Sequence, residues 1–337
     1  GIALIDQGKL EEAIEAYNKA LTINPDNAEV ILNASSLRNQ LTDTALIRKE
    51  FEKKLEIQSH DLITRPKFHI HKAIRAFLLP NQELVRKHLN IYNGFTSSSV
   101  AKLTPKDKEF CSAYNIFLQK LIEVPFENEA TFAEDQTVFH LGESHCLSYA
   151  HKKIKLQGME FTVSPRITFG GKAYHFSKEK DNSYKAITKS NFDSLPDGSK
   201  VFVSFGEIDC RQNEGFIYAA AKHKKPIENL VSGTVKGYFD WFYEQNHSKQ
   251  HCLFFLNVPA PIFQKNFSSE LNKETARVVK LFNNAFANQI LNYNFGIIDV
   301  YKFTVGNNGL SNGLFHIDNR HISSAAIPEI EKQIGTL

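Results

Sequence analysis

The chain has 337 residues, which at roughly 100–200 residues per domain predicts two domains or three. Lys and Arg total 40 against 37 Asp and Glu, and a net charge of +3 excludes the dense positive patch on which nucleic-acid binding usually rests. A composition of 42% hydrophobic and 23% charged residues excludes wholesale disorder. No run approaches the roughly 20 apolar residues of a transmembrane helix, so a soluble chain with no transmembrane segment is expected. Cys111, Cys146, Cys210 and Cys252 are widely spaced and form no CxxC pair. That spacing suits neither a disulfide framework nor a zinc site, and no metal or other cofactor is expected. The cysteine usage fits a reducing compartment, and the cytoplasm is the expected location.

Residues 1–124 read as helices separated by turn signals. Ala13, Ile14, Tyr17, Ala20 and Leu21 recur as one stripe of a 3.6-residue helix. Gly8 breaks the chain before this helix, and Asn24-Pro25-Asp26-Asn27 ends it. Gly8, Ala13, Tyr17, Ala20 and Pro25 together resemble a tetratricopeptide repeat, whose period is about 34 residues. A second copy over 28–61 keeps Ala34, Ile47, Phe51 and Leu55 in register but lacks the glycine and the proline. A third hairpin is expected over 67–95 and a further helix over 105–121. The resemblance implies an all-α domain of stacked hairpins with a concave face of the kind that binds a protein partner. The alternative is that the hairpins only pack on the neighbouring domain.

After a linker expected over 125–136, the rhythm changes. Short apolar runs at 137–141, 161–163, 201–205, 252–256 and 295–300 alternate with helical segments expected over 145–156, 227–244, 271–292 and 328–334. Nearly continuous apolar runs fit strands buried on both faces of a parallel sheet. The predicted fold is α/β: a three-layer α/β/α domain over 137–337 behind the helical domain. Ligands of such sheets bind beyond the carboxyl ends of the strands. There stand Gly142-Glu143-Ser144-His145, Phe169-Gly170-Gly171, Gly206-Glu207-Ile208-Asp209-Cys210-Arg211, Asn257 and residues 315–323.

A serine hydroxyl becomes a competent nucleophile when a base stands within hydrogen-bond reach and a third group orients that base. Ser144 falls in a tight turn after the first strand, where amide N–H groups gather. Asp318 and His321 are three apart on one late loop, so the carboxylate can hold one imidazole nitrogen while the other faces Ser144. The order of these blocks resembles the SGNH/GDSL hydrolase family. Gly-Glu-Ser-His is similar to its Gly-Asp-Ser block, residues 206–209 stand in the place of its Gly-x-Asn-Asp block, and Asp318-x-x-His321 is similar to its closing block.

The resemblance implies a flavodoxin-like sheet, catalytic Ser144, Asp318 and His321, and ester hydrolysis or acyl transfer through an acyl-serine. It also implies O-acyl groups of a carbohydrate as the class of substrate. Two departures stand out: Glu143 replaces the usual Asp, and Ile208, whose side chain cannot donate, fills the slot of the oxyanion Asn. An N–H of Gly170 or Gly171 is expected to help hold the oxyanion. Arg211 is the first candidate for a further donor and Asn257 the second, the alternative being that Arg211 only neutralises Glu207 or Asp209. The rival function is a non-catalytic interaction or glycan-binding protein with a degenerate hydrolase domain.

The remaining groups read as structural. Asp209 and Arg211 look like an ion pair, and Cys146 and Cys210 like buried small hydrophobes. His69 and His71, two apart on a helix, face different ways and make a poor metal pair. Residues 222–225 read as a solvated helix end, and the 27 phenylalanines as core.

Overall fold

In this computed structural model, residues 1–41, 55, 64–126 and 136–334 are described. The chain divides into two compact units, Gly1–Ala130 and Thr131–Leu337. Most of the expected linker lies outside the described residues, as do Ile47 and Phe51 of the second repeat.

The first unit is helical, with helices at Ile2–Asp6, Leu10–Ile23, Ala28–Gln40, Pro66–Leu78, Gln82–Asn93, Ser97–Ala101 and Pro105–Leu121. Gly8 joins the first two with φ +78°, a left-handed conformation that costs glycine little. The expected stripe is buried: Ala13, Ile14, Tyr17 and Leu21 all face inward. Side chains fix the helix starts. Asn27 accepts from the Val30 N–H (3.1 Å), Asn81 from Leu84 (3.0 Å) and Thr104 from Asp107 (3.1 Å). His69 and His71 diverge as their spacing requires. The first meets His88 with 3.1 Å between Nδ1 atoms, and the second packs on Phe110 with ring centres 5.4 Å apart.

The second unit is built on six strands: β1 (Thr137–Gly142), β2 (Lys153–Leu156), β3 (Met159–Ile167), β4 (Lys200–Ser204), β5 (Cys252–Leu256) and β6 (Gly296–Ile298). Their order is β2-β3-β1-β4-β5-β6, and every pairing is parallel except β2 with β3. The period of two is plain in the packing. Val201, Val203, Leu253 and Phe255 face a core shared with helices Ile227–Lys249 and Ser269–Ile290. Phe202, Phe254 and Val138 face the opposite core, which includes Ile327 and Ile330 of the last helix. These are the three layers of an α/β/α fold. Phenylalanine fills the first core edge to face, as in Phe239 against Phe255 (5.0 Å) and Phe286 (4.9 Å).

The structure corrects one element. The helix expected over 145–156 ends after a single 3-10 turn, Ser144–Leu147, and the chain then forms β2. Ile154 and Leu156 are buried while Lys153 and Lys155 are exposed, an alternation that suits a strand. Gln157 and Gly158, both at positive φ (52° and 81°), close a tight hairpin into β3. As an edge strand β2 is covered in part by the last helix, where Glu331 accepts the Lys155 N–H (2.7 Å). Helix Ser183–Asp193 was not expected, and helix Phe216–His223 ends within residues 222–225, where a solvated helix end was read. Among the described residues, no helix is long and apolar enough to cross a membrane.

Strand β1 has β3 on one side and β4 on the other, so the connections leave it in opposite directions. A crevice opens at its carboxyl end for that reason alone.

Candidate active site

Three segments meet at that crevice. The first is the turn after β1. A Cβ on Gly142 would stand 2.8 Å from the Ser204 carbonyl oxygen, so only glycine lets the ends of β1 and β4 come this close. The Glu143 carboxylate accepts the His145 N–H (3.2 Å) and starts the 3-10 turn on which Ser144 stands, half-buried. The second segment follows β3, whose Thr168 N–H binds the Gly142 carbonyl (2.8 Å). The third is the late loop, closed by a bridge between His316 and Ile322 and by an Ile317 N–H to His321 carbonyl bond (3.0 Å). Within it Asp318 Oδ1 accepts the N–H groups of Arg320 (2.8 Å) and His321 (2.6 Å), an Asx-type turn, and buried Ile322 anchors it in the core.

These folds bring Ser144, His321 and Asp318 together. Ser144 Oγ lies 2.8 Å from His321 Nε2 across 177 positions of sequence, and His321 Nδ1 lies 2.7 Å from Asp318 Oδ2. Burial pushes the His321 imidazole below its ordinary pKa; the Asp318 bond opposes this and the nearby His145 adds to it. Burial would raise Asp318, but its bonds to His321 hold it down at about 2. At neutral pH the imidazole is therefore uncharged, with its Nδ1–H donating to the Asp318 carboxylate and the Nε2 lone pair toward Ser144. Such an arrangement can take the hydroxyl proton.

The Ser144 hydroxyl has a second acceptor, Glu143 Oε2, also at 2.8 Å. The other Glu143 oxygen meets His145 Nδ1 at 2.6 Å, and His145 Nε2 lies 3.2 Å from the Arg320 carbonyl. Burial disfavours charge on both partners, yet each holds the charge of the other. Glu143 is kept low and His145 is lifted to about 9.

Beside them Arg211 grips Glu207 through Nε (2.9 Å) and Nη2 (2.6 Å) and reaches Glu214 through Nη1 (2.9 Å). Donor atoms of Glu143, His145 and Glu207 fall within 4.8 Å of one another, a grouping of types that can hold a cation. Each already has an opposite charge at hand, and a cation would have to displace the His145 proton and face the Arg211 guanidinium. The grouping is an ion-pair network. A narrow cleft, with a cavity volume of about 20 Å³, is lined by its three members together with His140, Ser204 and Asn257.

The other expected donors are committed elsewhere. The Arg211 guanidinium is held by the two glutamates, which matches the neutralising alternative in Glu207 but not in Asp209. Asp209 instead accepts the N–H groups of Ala173 (2.8 Å) and Tyr174 (3.0 Å). The Asn257 amide donates to Asp299 (2.7 Å) and accepts the Tyr301 N–H (3.0 Å), a junction between β5 and the chain after β6. The Gly171 N–H binds the Thr168 carbonyl (3.1 Å). Gly170 is exposed at φ +67°, and among the described residues neither its amide nor that of Ser144 has an acceptor. Ile208 is buried, as are the free thiols Cys146 and Cys210.

Sequence reasoning passed over the pairing of His145 with Glu143 beside Glu207. Their signal was present as ionisable residues within three positions of two adjacent strand ends, at 143, 145 and 207.

Fold and geometry thus define a class: a three-layer α/β/α unit with serine, histidine and aspartate joined at the carboxyl edge of a parallel sheet. Residues 1–34 match a family model described as a TPR repeat. Among solved structures, the chain is similar to a candidate acylhydrolase from Bacteroides fragilis, at 15% identity over 65% of this chain and 91% of that one, with a TM-score of 0.41. It is also similar to a GDSL-like lipase from Bacteroides thetaiotaomicron, at 13% identity over 65% and 94%, with a TM-score of 0.40. No curated protein matches it in sequence.

Proposed function

We propose that the α/β unit is a serine-dependent ester hydrolase or acyltransferase, with Ser144 as nucleophile, His321 as general base and Asp318 as the carboxylate that orients it. The observation that carries this reading is the continuous pair of contacts, 2.8 Å from Ser144 to His321 and 2.7 Å from His321 to Asp318. Ser144 Oγ attacks the acyl carbonyl carbon while its proton passes to His321 Nε2. The bond to the leaving alcohol breaks as His321 returns that proton to the alcohol oxygen. Water or an acceptor hydroxyl then gives a proton to His321, attacks the acyl-serine and releases Ser144, which recovers the proton. The free amides of Ser144 and Gly170 supply the oxyanion donors.

The substrate class we favour is an O-acyl carbohydrate, as the family resemblance implies, and the helical unit we assign to a protein partner. Four free cysteines, three of them buried, support a reducing compartment. One lost oxyanion donor commonly costs about 10²–10³ in kcat, so with Ile208 in place of a donor the enzyme is slow. Those committed donors are what favour the second reading, a glycan-binding protein without turnover.

A fluorophosphonate probe separates the two. The enzyme reading expects labelling of Ser144 and turnover of a small acyl ester, both abolished by Ser144→Ala with little change in melting temperature. Because His321 lies below its ordinary pKa, the acid limb of kcat/KM is expected below about pH 6.5. An unlabelled, inactive wild type that binds oligosaccharide would overturn it.

A further inference from the structure

We propose that His145, held by Glu143, is a positioning residue that ties the loop carrying Asp318 and His321 to the nucleophile turn and cancels the Glu143 charge beside the reacting hydroxyl. The inference rests on the reading of Ser144, His321 and Asp318 as the reacting group, and it adds a residue that never touches substrate.

The geometry is a bridge. His145 Nδ1 donates to Glu143 Oε1 (2.6 Å), on the turn that bears Ser144, and its Nε2 stands 3.2 Å from the carbonyl of Arg320, the residue before His321. Only a doubly protonated ring donates at both ends. The two imidazoles lie 4.9 Å apart between centres. One buried cation thus fixes the late loop at the position next to the general base. The Asx turn of Asp318 holds the same loop from within, so the imidazole is located from two sides.

The charge has a second effect. Glu143 Oε2 touches the Ser144 hydroxyl, and an uncompensated carboxylate there would oppose the negative charge that grows as the proton leaves. It would also compete with His321 for that proton. His145 removes both penalties. The groups facing His321 are Asp318 and His316 from its own segment and Glu143 and His145 from the turn after β1, while Glu207, at the end of β4, acts on His145. Burial keeps His316 neutral and Asp318 favours the imidazolium, so His145 is the neighbour that most favours the uncharged base.

The test is a ring-labelled histidine titration followed by NMR, run beside a pH profile of ester turnover on wild type, His145→Gln and His145→Ala. Wild-type His145 is expected to carry protons on both ring nitrogens at pH 7. A neutral His145 ring would overturn the proposal without any variant. Removing the cation is expected to raise the His321 midpoint and the acid limb by about one pH unit, with KM unchanged. Gln keeps a donor for the Arg320 carbonyl and is expected to recover kcat above the shifted limb. Ala is expected to lose about tenfold in kcat at every pH, because a slightly misplaced base is costly. A His321 midpoint that stays put in both folded variants sinks the idea. Full ester turnover by Ser144→Ala would instead remove the nucleophile reading, and the His321 titration would still decide the role of His145.

Discussion

Asp209 meets two backbone amides and little else: its carboxylate is buried, with the Ala173 N–H on one oxygen and the Tyr174 N–H on the other. It is the tie between the strand-end segment after β4 and the one after β3 that carries Gly170. An unsatisfied buried donor costs about 1–3 kcal/mol, so Asp209→Ala, which leaves two, is expected to lose at least about 2 kcal/mol. In a unit of this size that is a fall of about 4–8 °C in Tm, measurable by calorimetry. Burial lifts the Asp209 pKa to about 7 against the pull of these amides. The folded protein then keeps a proton that the unfolded chain has lost, so the stability this residue contributes falls as pH rises from about 4 to about 7. The deficit of the variant is expected to shrink across that range. Ser144, Asp318 and His321 could be read from the chain because strand ends and a three-residue spacing are local signals. The partners of Asp209 could not, since they lie 35 and 36 positions away and depend on where the chain returns.

Among the elements, the junction of β1 and β4 sets the nucleophile turn. Gly142 pairs with Ser204 in the parallel ladder, and an added methyl would press on the Ser204 carbonyl. Overpacking of this kind costs about 1–3 kcal/mol, and here it would displace the residue two before Ser144. Gly142→Ala is therefore expected to lower both the melting temperature and the rate of probe labelling, whereas unchanged labelling would show that the turn is set by something else. Strand positions were legible for β1, β4, β5 and β6, where apolar runs are nearly continuous, and for β3 only over residues 161–163 of the nine it spans. The edge strand β2 was not. Its four residues alternate, begin only six positions after the Ser144–Leu147 3-10 turn, and read as the tail of a helix until the Gln157-Gly158 turn is given weight.

For the molecule as a whole, the two apolar clusters of the sheet are built from residues 138–334, all within the second unit. A chain of residues 131–337 is expected to melt cooperatively by itself and to keep the Ser144 labelling rate within about twofold. Loss of labelling in a folded fragment would mean that the helical unit completes the site. The order of the two units was visible in the change from a period of 3.6 to apolar runs near residue 136. The repeat likewise showed in its small residues and turn signals, although only residues 1–34 match a repeat model.

One edge of the sheet is β2, four residues long, with two lysines pointing outward and an edge amide already bonded to Glu331. A bare strand edge is a template on which another chain can add a strand; charge, shortness and a plugging side chain remove that opportunity. At the other edge β6 has only three residues. Both edges of the sheet therefore disfavour the addition of a strand from a second copy.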